Sequence, residues 1–88
     1  MNKYLEKIAA KLSASTKHWV KERIKVDVPA MARSVKGTPE SFKEKGRQTY
    51  KVMSKTNRTI SKITPLPHKS EEYRGQAIID RVVGRSIK

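Results

Sequence analysis

The chain has 88 residues, with 21 lysines and arginines against 8 aspartates and glutamates, and its net charge is +13. This length and a hydrophobic content of 35% allow one small domain with a thin core. We therefore expect a marginally stable monomer, or a chain that becomes ordered only on a partner. Cysteine is absent, which excludes a disulfide framework and a thiolate metal site. No apolar run approaches the roughly 20 residues of a membrane span, and the N-terminus lacks the apolar stretch of a secretory signal, so we expect a cytoplasmic protein.

The first predicted helix covers residues 3–25. Apolar residues recur at helical spacing from Leu5 to Trp19, and lysines line the other side. Short hydroxyl side chains at 13–16 compete for backbone hydrogen bonds, and Ser15 has a side chain suited to an N-cap. The pattern therefore predicts a helix with a break near 13–16.

A connector is predicted over residues 26–37. Within it Pro29 fits a first helical turn, and Gly37 fits the stop after a helix. The central helix is then predicted over 39–63, with Thr38 as its N-cap.

The central helix carries the most informative pattern in the chain. From the last glutamate of this helix to Glu71 the sequence has no acidic residue, but it has seven basic ones. Five of these are spaced by four, four, three and four, which places them on one side of a helix. They are Arg47, Lys51, Lys55, Arg58 and Lys62. The opposite side is predicted to be structural and consists of Phe42, Tyr50, Met53, Thr56, Ile60 and Ile63.

A helix side with basic residues alone is typical of a surface that meets an anionic partner. Ordinary solvated helices mix both signs and gain stability from glutamate–lysine pairs. Nucleic-acid phosphate is the first candidate, an acidic or DNA-binding protein surface the second, and anionic lipid the third. Lys7 and Lys11 are predicted to form a secondary nucleic-acid-binding patch. Base readout has no support in the sequence, and we expect Trp19 and Tyr50 to pack in the core rather than to stack on bases.

The segment 64–69 contains two prolines and separates the central helix from a last helix predicted over 70–84. It is either a linker or a pre-extended recognition segment. Under the second interpretation the Leu66–Pro67 bond is a candidate target for a prolyl isomerase. The last helix has apolar residues spread widely around its axis, so more than one neighbour must cover them. The predicted protein-binding residues are Pro65, Leu66, Pro67, Ile78, Ile79, Val82 and Val83.

Catalytic chemistry has little basis in this sequence. The two histidines, His18 and His68, are far apart along the chain, and the acidic residues are scattered. No Gly-rich phosphate loop, nucleophile motif or cluster of metal ligands appears. We expect a protein that is not an enzyme and that needs no metal or cofactor.

These patterns predict an all-α domain over residues 1–88, with three to four amphipathic helices in a small open bundle. The predicted function is non-catalytic binding to nucleic acid or to a nucleic-acid-processing complex. In size and charge the chain resembles small accessory proteins of temperate phages, some of which dock on host recombination nucleases. That resemblance implies the alternative of a protein that modulates or inhibits a host nucleic-acid enzyme in the host cytoplasm, and it assigns no site residues. A second alternative is a structural protein that packs against the genome inside a particle.

Overall fold

A computed structural model describes residues 12–88, which form three helices and no strand. Helix α1 is Ala14–Val35, helix α2 is Glu40–Ile63 and helix α3 is Pro67–Ser86. The prediction of a small all-α bundle is confirmed. The described part measures 41 × 23 × 20 Å, and α3 packs against both α1 and α2.

Helix α1 begins where the break was predicted. Ser13 is its N-cap, and the Ser13 hydroxyl accepts a hydrogen bond from the backbone N–H of Thr16. Glu71 of α3 accepts a hydrogen bond from the backbone N–H of Ser13, which ties the start of α1 to α3. The earlier part of the predicted helix 3–25 lies mostly outside the described residues.

The predicted connector over 26–37 is wrong, because α1 continues to Val35. Pro29 lies inside the helix, where it lacks an N–H for the hydrogen bond one turn back. The apolar side of α1 continues past it, however, since Val28 and Met31 pack against the core and Val35 is buried. Burial on both sides of the proline therefore offsets the missing hydrogen bond. Gly37, with φ of 79°, provides the turn that follows the helix.

The boundaries of the other two helices differ from the predicted ones by a few residues. Pro39, not Thr38, is the N-cap of α2, and the Thr38 hydroxyl instead donates a hydrogen bond to the Val35 carbonyl oxygen at 2.6 Å. Helix α3 starts at Pro67 rather than at residue 70. Proline is tolerated at the first helical position because the N–H that it lacks would have no hydrogen-bond partner within the helix there.

The hydrophobic core lies mainly between α1 and α3. Its buried members are Leu12, Val20, Ile78, Ile79 and Val83. Tyr50 of α2 packs against this cluster, as predicted from its apolar surroundings. The other members of the predicted structural side of α2 do not enter it. Phe42 is 54% exposed and Ile63 is 75% exposed, and this part of the prediction is wrong.

Helix α2 meets α3 through small and polar side chains instead. The Ser54 hydroxyl donates to the Ala77 carbonyl oxygen at 2.8 Å. The hydroxyls of Ser61 and Ser70 each donate to the other residue's carbonyl oxygen, at 2.7 and 2.6 Å. Small side chains let the two backbones approach closely, so the hydrogen-bonded side of α2 is buried and its apolar side remains outside. We call this contact the polar seam.

A buried carboxylate sits at the centre of the polar seam. Asp80 is only 2% exposed, and its two oxygens accept hydrogen bonds from the Asn57 amide at 2.8 Å and the Gln76 amide at 2.9 Å. Burying a carboxylate is costly unless it is paired in this way, so Asp80 specifies which residue of α2 lies opposite it. Burial, with a smaller effect of the Asp80 charge, raises the pKa of Tyr50.

Candidate nucleic-acid interface

A basic groove of about 490 Å³ runs along one side of the polar seam. Helix α2 and helix α3 each contribute basic side chains four residues apart, so that the residues on each helix lie on the same side of it. Gly84 and Ser54 belong to the lining between the two sets. The basic residues that line the groove are Arg47, Lys51, Lys55, Arg81 and Arg85.

Two of these residues, Arg81 and Arg85, were not predicted. Helix α3 is nearly neutral as a whole, because Glu71, Glu72 and Asp80 balance much of its basic charge. Its basic residues nevertheless follow a helical spacing, and this was the signal that could have identified them. Only the packing of α3 on α2 brings Arg81 and Arg85 next to the basic side of α2.

Arg47 lines the groove but also has partners within the protein, and its role in phosphate contact stays a prediction. Its guanidinium donates hydrogen bonds to Glu40 and, at 3.0 and 2.7 Å, to Glu44. It also donates to the carbonyl oxygen of Ile87, beyond the end of α3. The hydrogen bonds to Glu40 and Glu44 raise the pKa of Arg47, and hydrogen bonds from Gln48 and Arg47 lower the pKa of Glu44. Arg47 therefore links α2 to the C-terminal end of the chain and is engaged by two carboxylates.

Lys51 and Lys55 are exposed at the groove, as the spacing on α2 predicted. Arg58 and Lys62 are exposed as well, but they are not among the residues that line it. At a rise of about 1.5 Å per residue, Lys62 lies roughly 10 Å beyond Lys55 along α2. The basic side thus extends past the groove toward the C-terminal end of α2. The predicted patch of Lys7 and Lys11 lies outside the described residues.

The predicted protein-binding residues fall into two groups. Pro65, Leu66 and Pro67 are exposed at the junction of α2 and α3. All peptide bonds of the described residues are trans, including Leu66–Pro67. The role of this junction as a docking segment, or as a prolyl isomerase target, stays a prediction.

The second group requires a correction. Ile78, Ile79 and Val83 are between 1% and 2% exposed and belong to the core, and Val82 packs against it. Helix α3 has neighbours on two sides, and these cover the apolar residues whose wide spread led to the prediction of an exterior site.

A second groove, of about 570 Å³, contains residues from all three helices. Trp19 of α1 and Tyr73 of α3 line it and are both more than one-third exposed. Asn57 and Gln76 also line it, but their amides are held by Asp80. Trp19 therefore packs less completely than predicted: one edge of its indole lies over Gly75 of α3, and the rest faces the groove.

No family model, curated protein or solved structure matches the chain. Among residues 12–88, no group of three or more histidines or acidic residues is placed to hold a metal ion. None of the helices α1 to α3 is long and apolar enough to cross a membrane. The basic groove is therefore the site from which a function can be argued.

Proposed function

We propose that this protein binds nucleic acid without catalysis, by contacting backbone phosphates from the basic groove between α2 and α3. The observation that carries the proposal is the joining of basic residues from two helices, Lys51 and Lys55 with Arg81 and Arg85, in one groove. Lys51, Lys55 and Arg85 are the exposed ones among them, and their charge exceeds what the adjacent Glu44 can balance, since Glu44 is already engaged by Arg47.

Phosphate is the ligand that this chemistry fits. Lysine supplies a point charge and arginine a planar fork of donors, and both neutralise phosphates and release counterions. The polar atoms of the polar seam are used within the protein, because Ser54 donates to Ala77 and Asn57 to Asp80. Few donors and acceptors are left in the groove to read base edges. The proposed binding is therefore strong at low salt and has little sequence preference.

The test is a salt titration of nucleic-acid binding with a triple variant, Lys51→Gln, Lys55→Gln and Arg85→Gln. Its matched control is Lys21→Gln, Arg33→Gln and Lys36→Gln. The control residues are exposed, do not line the groove and carry the same total charge. Fluorescence anisotropy with labelled DNA and RNA of several sequences gives affinity against salt concentration.

We expect the groove variant to lose affinity for every sequence alike. The slope of log affinity against log salt should fall by about 0.7 to 0.9 for each phosphate contact that is lost. The control should keep most of the slope, because its lysines and arginine act only through long-range charge. Equal effects of the two triple variants would refute a localised site and leave only nonspecific attraction by net charge.

A further inference from the structure

The apolar side of α2 faces outward along nearly the whole helix. Phe42 and Ile63, near its two ends, are exposed, and Met53 between them is 40% exposed. Val52 is exposed beside them. These side chains line neither groove described above. We call the set Phe42, Thr49, Val52, Met53, Thr56, Ile60 and Ile63 the α2 stripe.

The α2 stripe has a seven-residue period. Phe42, Thr49, Thr56 and Ile63 are seven residues apart, and Met53 and Ile60 repeat between them at the same interval. This is the spacing that keeps one side of a helix against a second helix over several turns. From Phe42 to Ile63 the stripe covers three heptads, or about 31 Å.

Thr49, in the middle of the first half of the stripe, is compatible with burial. The Thr49 hydroxyl donates to the Lys45 carbonyl oxygen at 2.8 Å, one turn back along α2. This internal hydrogen bond satisfies the hydroxyl donor and leaves the methyl group of Thr49 to extend the apolar surface between Phe42 and Met53.

The charges beside the stripe indicate the chemistry of what covers it. Lys45 is exposed one turn from both Phe42 and Thr49, and α2 as a whole carries many more basic than acidic residues. A partner helix at this position must place acidic residues next to its own apolar side. A second copy of this chain does not meet that condition, because α2 has seven basic residues and only two acidic ones. Binding to a lipid surface requires an apolar side but no seven-residue repeat, which matters for packing against a second helix.

We propose that the α2 stripe docks an acidic amphipathic helix of another protein as a two-helix, coiled-coil-like contact. The apolar residues supply most of the affinity, and Lys45 with the net positive charge of α2 selects acidic partners and speeds up association. This surface is separate from the basic groove, so the protein is able to hold nucleic acid and a protein partner on different sides of α2.

The probe is a synthetic peptide of about four heptads with leucine at both core positions and glutamate at the flanking positions. A scrambled peptide of identical composition has the same charge and no apolar side. The test variant is Phe42→Ser with Ile63→Ser, which leaves the charge unchanged. Its control is Val26→Ser, since Val26 is 60% exposed and lies outside the stripe.

We expect the heptad peptide to bind the parent and the control variant equally, and to bind the stripe variant at least about tenfold more weakly. The scrambled peptide should also bind at least about tenfold more weakly than the heptad peptide. Nucleic-acid affinity should be the same in all three proteins, which separates this test from that of the basic groove. Equal binding of the two peptides, or of the parent and the stripe variant, would overturn the proposal.

Two further measurements distinguish the other occupants. Sedimentation of the parent alone detects self-association, and flotation with phosphatidylserine–phosphatidylcholine vesicles detects lipid binding. We expect a monomer and vesicle binding that is the same for the parent and the stripe variant. A dimer that the stripe substitutions dissociate, or vesicle binding that they abolish, would assign the stripe to a second copy or to lipid instead.

Discussion

The polar seam between α2 and α3 depends on glycine at position 84. A Cβ added there would lie 2.7 Å from the Cβ of Tyr50, and 3.8 Å from the Arg47 carbonyl oxygen. Carbon atoms in contact normally lie about 3.5–4.0 Å apart, so α2 and α3 would have to separate by roughly 1 Å. The obstructing atom is close to the α2 backbone and has no freedom to rotate away. Gly84→Ala should therefore disrupt the seam.

The size of the effect follows from three contributions. Overpacking costs about 1–3 kcal/mol, and the hydrogen bonds stretched across the seam, such as Ser54 to Ala77, contribute about 0.5–1.5 kcal/mol each. Replacing glycine by alanine in a helix returns at most about 1 kcal/mol. The net loss in the free energy of unfolding is about 2 kcal/mol, which lowers the melting temperature by roughly 8–16 °C in a domain of this size.

Gly46→Ala is the matched control in the same pair of helices. There the nearest atom to an added Cβ is the terminal Cδ1 of Ile87 at 3.2 Å, which is able to move by a small rotation. This variant should be neutral, or more stable by up to about 1 kcal/mol, because alanine favours the helix. Thermal and urea unfolding followed by circular dichroism measures both. If Gly84→Ala melts at or above the parent temperature, the close approach of α2 and α3 is refuted.

Three further predictions concern other parts of the fold. Met53→Ala should lower the free energy of unfolding by less than about 1 kcal/mol because Met53 is exposed, whereas Ile79→Ala in the core should lower it by roughly 2–5 kcal/mol. Equal losses in urea unfolding would contradict this placement of the core. Asn57→Ala should cost about 1–3 kcal/mol, since Asp80 loses a donor while buried; a loss no greater than that of Met53→Ala would show that water replaces the amide. Glu71 has a lowered pKa, chiefly because its carboxylate accepts the hydrogen bond from the N-cap of α1, so its stabilising effect is present above its ordinary pKa of 4.5 and is lost as the pH falls through the lower folded-state value. Glu71→Gln should accordingly lower the melting temperature near neutral pH and flatten its decline below pH 4.5, and parallel pH profiles of parent and variant would exclude this role.

Much of the helix content could be predicted from local sequence. Pro39 marks the start of a helix and Gly37 marks a stop, because these residues restrict or extend backbone conformation wherever they occur, whereas the start at Pro67 was placed three residues too late. Pro29 was misleading because proline usually disrupts a helix interior, and the first helix was therefore predicted to end before it. Val28 and Met31, on either side of it, pack against the core formed with α3, and a local rule does not include that contact.

The basic side of α2 was determined by the sequence alone, since four-residue spacing and the absence of acids are properties of one helix. Which of its residues line the groove, and which also have partners within the protein, was decided by tertiary structure. Arg47 is held by its neighbours on α2 and by the end of the chain, while Arg85 is brought into the groove from α3. Which helices pack against each other depends on their surfaces together, and the residue pattern of one helix does not determine it.

The orientation of α2 is the clearest decision made by tertiary structure. Helical periodicity shows that one side of α2 is apolar, and the hydrophobic effect favours burying that side. The structure instead buries Ser61 and partly buries Ser54 and Asn57, because Asp80 of α3 requires a donor and small side chains allow a close approach of the two helices. Sequence patterning therefore determined that α2 has two chemically different sides. The buried carboxylate on another helix decided which of them turns inward.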